Sequence, residues 1–193
     1  MSRNKLIGIV AACTIVVVVA LVISLSGRGP VGDPVVTFQD PNLEAAIKEA
    51  LNKPSEVIHA SELVELASLS ASDRGIEDLS GLQYCTHLTE LDLISNEISD
   101  VSPLDNLTKL VNLALGWNQI SDISPLANLT ELTNLCLSSN RISDISPLVQ
   151  NEGLGTGDEV TLSSNPLSSD SINVYIPELE ARGVIVSYEN SGG

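Results

Sequence analysis

Residues 88–109 (LTELDLISNEISDVSPLDNLTK), 110–131 (LVNLALGWNQISDISPLANLTE) and 132–153 (LTNLCLSSNRISDISPLVQNEG) are three consecutive near-copies of one 22-residue unit. A more divergent copy precedes them at 66–87, and a partial copy, GDEVTLSSNPLSS, follows at 157–169 after a shift of three residues. Apolar residues recur at unit positions 1, 4, 6, 11, 14, 17 and 20, with Asn at position 9. Neither a regular helix nor a regular strand has this spacing, so the pattern predicts a coil with one short strand per turn.

Each unit also predicts its own local structure. Positions 4 and 6 point inward from the strand and positions 3 and 5 outward, so stacked units form a parallel sheet. The amide at position 9 both donates to and accepts from buried turn backbone; these residues are Asn96, Asn118, Asn140 and Asn165. Ser-Pro at positions 15 and 16 predicts the N-cap and first residue of a 3₁₀ turn; the pairs are Ser102-Pro103, Ser124-Pro125 and Ser146-Pro147.

The terminal units need covers, because an open end of such a coil exposes apolar side chains. Asp40-Pro41 predicts the start of a helix with one apolar face, formed by Leu43, Ala46, Ile47, Ala50 and Leu51. A second short helix is expected at 61–65. At the other end we expect a helix bent at Pro177, with Ile172, Tyr175, Ile176 and Leu179 covering the array, and then a strand at 184–188. Segment 150–157 (QNEGLGTG) is expected to be a protruding loop.

The consensus LxxLxLxxNxIxDIxPLxxLxx resembles the leucine-rich repeat of bacterial internalin-type surface proteins over roughly residues 66–167. Residues 38–44 (FQDPNLE) resemble the opening of their helical cap, and 170–188 their closing helix-and-strand unit. The resemblance implies an α/β solenoid, a right-handed horseshoe with about five short parallel strands on the concave face and 3₁₀ turns on the convex face. It also implies a helical N-terminal cap, a helix–strand C-terminal cap and protein ligands.

Residues 6–25 are an uncharged apolar run, long enough to cross the hydrocarbon core as a helix. Arg3 and Lys5 precede it and Arg28 follows, which favours a cytoplasmic N-terminus and an extracellular C-terminal domain on a single-pass signal anchor. One alternative is a cleaved signal, with small residues at Ser24 and Ser26, and secretion. Another is lipidation at Cys13, because residues 10–13 (VAAC) look like a lipoprotein cleavage box.

These patterns divide the chain into five expected segments. They are the N-terminus and anchor at 1–25, a flexible linker at 26–35, the N-terminal cap at 36–65, the leucine-rich repeats at 66–167, and the C-terminal cap and tail at 168–193.

The charge and composition exclude several function classes. A formal net charge of −16 repels phosphate backbones, so the expected partner is a neutral or basic protein and not nucleic acid, bound by a monomeric ectodomain. Three cysteines, Cys13, Cys85 and Cys136, cannot build a disulfide framework. The chain has no phosphate-binding loop, nucleophile elbow or zinc motif, so we expect neither a cofactor nor enzymatic activity.

Solenoids of this kind bind through the strand face, and its register names the candidate ligand-binding residues. Trp117 and Ile94 are large apolar residues at positions that packing need not bury, and Trp is enriched in binding hot spots. The other candidates are Glu90, Asp92, Asn112, Asn134, Ser139 and Glu159. The alternative for Trp117 is a ring lying flat against the edge of the repeat.

Other recurring polar residues have simpler explanations. Asp78, Asp100, Asp122 and Asp144 form a column at position 13; calcium binding and capping of the turn both fit it, and one carboxylate per unit favours capping. Cys136 is expected to face solvent without a neighbouring base, and Cys85 to fill a Leu slot in the core. His59 and His87 belong to no metal-spaced cluster. The sequons at 106–108 and 128–130 follow the repeat consensus.

The sequence therefore predicts a non-enzymatic module on a bacterial cell surface that binds a protein ligand through the concave face around Trp117 and Ile94. Two alternatives remain: a structural spacer or assembly unit of an envelope complex, and recognition of a glycan or cell-wall fragment. The strands alone offer a few hundred Å², less than the roughly 800 Å² per partner of a standard stable interface.

Overall fold

The computed structural model describes residues 32–54 and 56–189. The predicted anchor at 6–25, with Cys13, lies outside these residues. Within the described part of the chain, no helix is both long and apolar enough to span a bilayer.

The repeats form one parallel sheet with sequential strand order. Its six strands, each three residues long, pair in register. They are β3 (Ser68–Ser70), β4 (Glu90–Asp92), β5 (Asn112–Ala114), β6 (Asn134–Cys136), β7 (Glu159–Thr161) and β8 (Ile185–Ser187). The predicted five strands are thus the five repeat strands, and the C-terminal cap adds the sixth.

The interior is a continuous stack of aliphatic side chains. Leu91 pairs with Leu113 and Leu113 with Leu135, and none of the three is more than 2% exposed. Position 4 therefore lies side by side along the coil, as the repeat predicts. Burial of an aliphatic side chain contributes about 1.5–3 kcal/mol each, so this stack is the main source of stability in a chain with five aromatic residues.

The position-9 asparagines form the predicted ladder beside this interior. Asn140 Oδ1 accepts the Ile120 N–H at 3.0 Å, and its Nδ2 donates to the carbonyls of Leu115 and Leu137 at 2.9 and 3.0 Å. The same pattern holds at the other three position-9 residues, Asn96, Asn118 and Asn165. Each amide thus joins its own turn to the preceding unit.

The convex side carries short helical turns, three of them 3₁₀ and one α-helical. The 3₁₀ turns are Leu82–Tyr84, Ser102–Leu104 and Ser124–Leu126, and the fourth is helix α3 (Ser146–Gln150). The predicted N-cap role of the serine was wrong. Ser102 is the first helical residue, and its N–H donates to the Asp100 side chain at 2.8 Å. The Ser102 hydroxyl donates to the other oxygen of the same carboxylate at 2.9 Å, so it is turned toward Asp100 and not toward the helix.

Segment 150–157 is held to the array at two buried residues, whereas five of its eight residues are exposed, so the predicted protruding loop is only partly correct. Asn151 is fully buried at position 20, where other units carry an apolar residue, and Leu154 is 2% exposed. Asn151 Nδ2 donates to the carbonyls of Leu126 and Leu129, both at 3.1 Å. These two contacts hold the end of the fourth unit against the third, immediately before the three extra residues, 154–156.

The N-terminal cap contains two helices and a short hairpin. Helix α1 (Pro41–Ala50) begins at the predicted residue and buries Leu43, Ala46 and Ile47. Helix α2 (Ala60–Val64) starts one residue before its predicted position. Strands β1 (Val35–Val36) and β2 (Ile58–His59) pair antiparallel, a feature that two-residue strands do not reveal in a sequence.

The C-terminal cap consists of a π-helical turn, an α-helix and the edge strand β8. A π-helical turn (Ser171–Tyr175) continues into helix α4 (Ile176–Ala181), and the change of helix type occurs next to Pro177. Ile176 and Leu179 are buried against the last unit. Of the other two residues of the predicted covering face, Tyr175 packs partly buried against the core and Ile172 is half-buried.

Candidate functional site

The concave face is the surface made by the outward side chains of β3–β8 together with the residues at unit positions 7 and 8 that follow each repeat strand. Its first column follows the strand register: Ser68, Glu90, Asn112, Asn134, Glu159 and Ile185. Asn134 and Glu159 are exposed, whereas Glu90 and Asn112 are half-buried. Asn134 Nδ2 donates to Asn112 Oδ1 at 2.8 Å, which fixes two of the predicted residues against each other.

The second column is less accessible than the sequence suggested. Asp92 is half-buried; its Oδ2 accepts from Ser72 Oγ at 2.8 Å and its Oδ1 from the Ile94 N–H at 3.1 Å. Cys136 is only 5% exposed, so the expectation that it faces solvent was wrong. Its Sγ leans across Gly116 on the neighbouring unit, where a built Cβ would lie 3.2 Å away.

Trp117 differs from every equivalent residue of the array. It is 66% exposed, and its φ of 59° lies in the left-handed region. All five units place a non-glycine residue there at position 8, with φ between 55° and 60°; the others are Asp73, Ser95, Ser139 and Ser164. Small polar residues tolerate this conformation, whereas a bulky residue in it is an outlier. The sequence located the exposed tryptophan but gave no sign of its backbone conformation.

Ile94 lies beside this tryptophan on the preceding unit. It occupies position 7, is half-buried, and its Cγ1 is 4.0 Å from a Cβ built on Gly116. Gly116 has no side chain and is buried, and the Cys136 Sγ and the Ser138 carbonyl lie next to it, 3.2 and 3.4 Å from a built Cβ. Ser95 donates its N–H to the Gly116 carbonyl at 3.0 Å, which holds the two units together at this point. Ser139, half-buried, occupies the equivalent place on the next unit.

The charges on this face are all of one sign. None of the six strands contains Lys or Arg, and several cations elsewhere in the described part of the chain have contacts of their own. Lys48 pairs with Glu44 and Arg74 with Glu49, both at 2.7 Å. Arg182 donates to the carbonyls of Leu148 and Val149 at the end of α3. The carboxylates of the strands therefore have no neutralising cation within their own sheet.

The aspartate column at position 13 lies outside the concave face and caps the convex turns. Asp100, Asp122 and Asp144 each accept the N–H of the serine two residues later at 2.8 Å. Asp78 does the same for Ser80 at 2.6 Å. In residues 32–54 and 56–189, no three His, Cys, Asp or Glu side chains are grouped as a metal site. The observed contacts are those of the capping alternative.

A polar groove of about 490 Å³ runs beside this column, lined by acidic residues of the first two units. Its lining includes Glu77, Asp78, Glu97 and Asp100, and no histidine or cysteine. Cys85 lies in the core, where burial raises the pKa of its thiol to about 12. This buried thiol is protonated at neutral pH and is not a nucleophile.

Comparison with known proteins agrees with this geometry. A profile of the leucine-rich repeat family, described as Leucine Rich repeats (2 copies), matches residues 108–150. The described part of the chain is a leucine-rich-repeat solenoid, and it is similar to the repeat domains of bacterial internalins. No curated protein matches the sequence at a significant level.

Among solved structures, the chain is similar to the internalin inlF of Listeria monocytogenes, with 30% identity and a TM-score of 0.66 over 80% of this chain and 52% of that one. The chain thus spans about half the length of that relative. Internalin C2 from the same organism is 26% identical over 84% of this chain and all of its own, with a TM-score of 0.36. The CBM51-2 and INT domains of Clostridium perfringens ZmpB match 46% of this chain and 19% of theirs, with 32% identity and a TM-score of 0.42.

Proposed function

We propose that this chain is a non-enzymatic recognition module on a bacterial cell surface, binding a protein ligand through the concave face around Trp117 and Ile94. The observation that carries the proposal is Trp117: a large, 66% exposed aromatic ring on a left-handed backbone position where the other units carry Ser or Asp. Exposure of the ring and strain in the backbone both cost stability, and a binding role explains why the residue is there.

The rest of the predicted site surrounds this residue. Ile94 and Ser139 flank it on the neighbouring units, and the first column supplies Glu90, Asn112, Asn134 and Glu159, with Asp92 beside them. An apolar centre within a polar surround is the usual arrangement of a protein interface. A glycan site would favour several aromatic platforms, and Trp117 is the one aromatic residue on the described part of this face.

The size of the face sets the affinity that a single copy can reach. Six strands about 4.8 Å apart span roughly 24 Å, and a three-residue strand is about 10 Å high. This area is smaller than the roughly 800 Å² per partner of a standard stable interface. We therefore propose that the module binds weakly as a monomer and gains strength from several copies on one surface.

Surface display depends on the N-terminal segment, and we propose that residues 6–25 remain as a single-pass signal anchor. The three alternatives predict different mature N-termini. An anchor leaves the chain uncleaved, signal cleavage starts the mature protein at Gly27, and lipidation starts it at Cys13 with an added lipid mass. Intact mass measurement of protein extracted from membranes separates them, and release into the medium without detergent would contradict the anchor.

The binding proposal is tested with the full chain in detergent, immobilised and exposed to surface extracts. Trp117→Ala should lose the bound protein, because truncating a hot-spot aromatic costs about 2 kcal/mol or more, roughly 30-fold in affinity. Tyr84→Ala is the matched control: it removes an exposed aromatic ring from a convex 3₁₀ turn and should retain the ligand. Equal retention by both variants would favour the structural spacer.

A further inference from the structure

We infer that the concave face selects a cationic segment of its protein partner, in which a Lys or Arg lies about two to four residues from a large apolar side chain. This inference rests on the proposed function and specifies the partner's chemistry. It follows from where the apolar and acidic side chains stand relative to each other on the second and third units.

The apolar contact point is the step between Ile94 and Trp117. The Ile94 side chain lies against the edge of Gly116, and Trp117 follows directly with its ring largely exposed. The position-8 neighbours of the ring are Ser95 and Ser139, which are too small to cover it. Gly116 itself is buried next to the Cys136 Sγ, so a large apolar side chain of a partner can contact the exposed Trp117 ring and the accessible part of the half-buried Ile94.

The acidic contact points continue from the same place along one chain. Side chains alternate along an extended segment, so Glu90, Asp92 and Ile94 share the outward side. With about 3.3 Å per residue, the two carboxylates lie roughly 7 and 13 Å from Ile94. An extended partner segment covers these distances in about two to four residues. These distances give the separation expected in the partner between its Lys or Arg and its large apolar residue.

The charge is also uneven from one end of the face to the other. On this face the first two units carry Asp73, Glu90 and Asp92, the strands of the third and fourth units, 112–114 and 134–136, are uncharged, and β7 carries the single acid Glu159. Among the described residues, neither Glu90 nor Asp92 forms an ion pair, and no strand contains a Lys or Arg. The partner's positive charge is thus drawn to the side of Trp117 that faces the N-terminal cap. A cation displaced toward the ring is still attracted by its π face.

The test uses a random-sequence peptide display library as the probe and the full chain in detergent as bait. The library is first depleted on Trp117→Ala and then selected on the wild type. We expect enriched peptides with net positive charge and a Lys or Arg two to four residues from a large apolar residue. The Glu90→Gln/Asp92→Asn double variant should bind them about 3- to 10-fold more weakly, with a smaller dependence on salt. Glu180→Gln, an exposed acid of α4, should bind as the wild type does.

The outcomes separate this inference from the proposed function. Peptides that need Trp117 but are neutral or acidic, or that bind the double variant unchanged, overturn the inference and leave the function standing. Peptides that bind Trp117→Ala as well as the wild type, or a library from which nothing is enriched, count against both. Equal unfolding midpoints for wild type and double variant show that the weaker binding is not a loss of fold.

Discussion

The ring of Phe38 occupies the space in which residue 81 would carry a side chain. A Cβ built on Gly81 overlaps the Phe38 ring, and Gly81 has a φ of 111°. Gly81 stands at position 16, where the next three units have proline. The first unit departs from the repeat here because the N-terminal cap covers it with its one phenylalanine, which is 6% exposed.

Gly81→Ala should lower the free energy of unfolding by about 2–4 kcal/mol, because it adds overpacking against Phe38 to the cost of a side chain at positive φ. Gly157→Ala is the matched control: its φ is 91°, but nothing lies within 4 Å of the added Cβ, so only the backbone cost applies. Urea unfolding of both variants measures the difference. Equal losses would show that the Phe38 contact adds nothing.

Asp40 joins the cap to the first unit, and its charge should make the junction sensitive to acid. Burial alone would raise the pKa of this carboxyl, but N–H donors from Glu77, Leu43, Asp78 and Asn42 together lower it below its usual 3.8. A pKa lowered by folding contributes stability above the unfolded value, and that stability is lost as the pH falls through the folded pKa.

Asp40→Asn should therefore be less stable at pH 7 and should lose less stability than the wild type as the pH falls below 3.8. Asparagine can still cap α1, so the loss of stability should come mainly from the contacts with the Glu77 and Asp78 N–H groups. These nitrogens lie 2.7 and 3.3 Å from Asp40 Oδ2. Unfolding free energies from pH 7 to pH 3 test this. Parallel pH profiles for the two proteins would rule out Asp40 as the source.

Removing one asparagine of the ladder should lower the free energy of unfolding. Asn140→Ala removes one acceptor and two donors that serve buried backbone groups of two units, and each unsatisfied group costs about 1–3 kcal/mol. We expect a loss of about 3 kcal/mol or more in urea unfolding. Asn128→Ala, at an exposed asparagine of the same repeats, should change stability by less than about 0.5 kcal/mol. Similar losses in the two variants would contradict the structural role of position 9.

Trp117→Asn should stabilise the fold while abolishing ligand binding. Asparagine tolerates the left-handed conformation, so relief of the backbone cost should raise the free energy of unfolding by about 0.5–1 kcal/mol. Trp117→Ala keeps a Cβ at the same φ and should not gain this stability. Thermal unfolding of the three proteins separates the two effects. A loss of stability in Trp117→Asn would mean that the ring packs against the repeat edge, the alternative considered from the sequence.

The periodic part of this molecule was open to prediction because one unit repeats. Each copy has apolar residues at the same positions, and three close copies define the register of the strands. The pairing of Leu91 with Leu113 and the role of Asn140 could therefore be predicted from the spacing alone. The candidate residues of the concave face followed from the same register. The hairpin of β1 and β2 did not, because two residues per strand are too few to show alternation.

Features that depend on contact between distant residues were decided only by the tertiary structure. The segment after α3 reads as a polar loop, yet Asn151 is buried because the carbonyls of Leu126 and Leu129 satisfy its amide. Cys136 was assigned to the outward side, yet its small side chain leans across Gly116 and is almost buried.

The sequence by itself determined the coil, its aliphatic interior and the side of the sheet on which Trp117 lies, since a repeated pattern of apolar residues has one arrangement that buries them all. The tertiary structure decided the left-handed backbone of Trp117, the fit of Phe38 onto Gly81 and the burial of Asn151 and Leu154. These features depend on contacts between residues that are distant in sequence. The spacing of residue types along the chain does not show which distant residues come into contact.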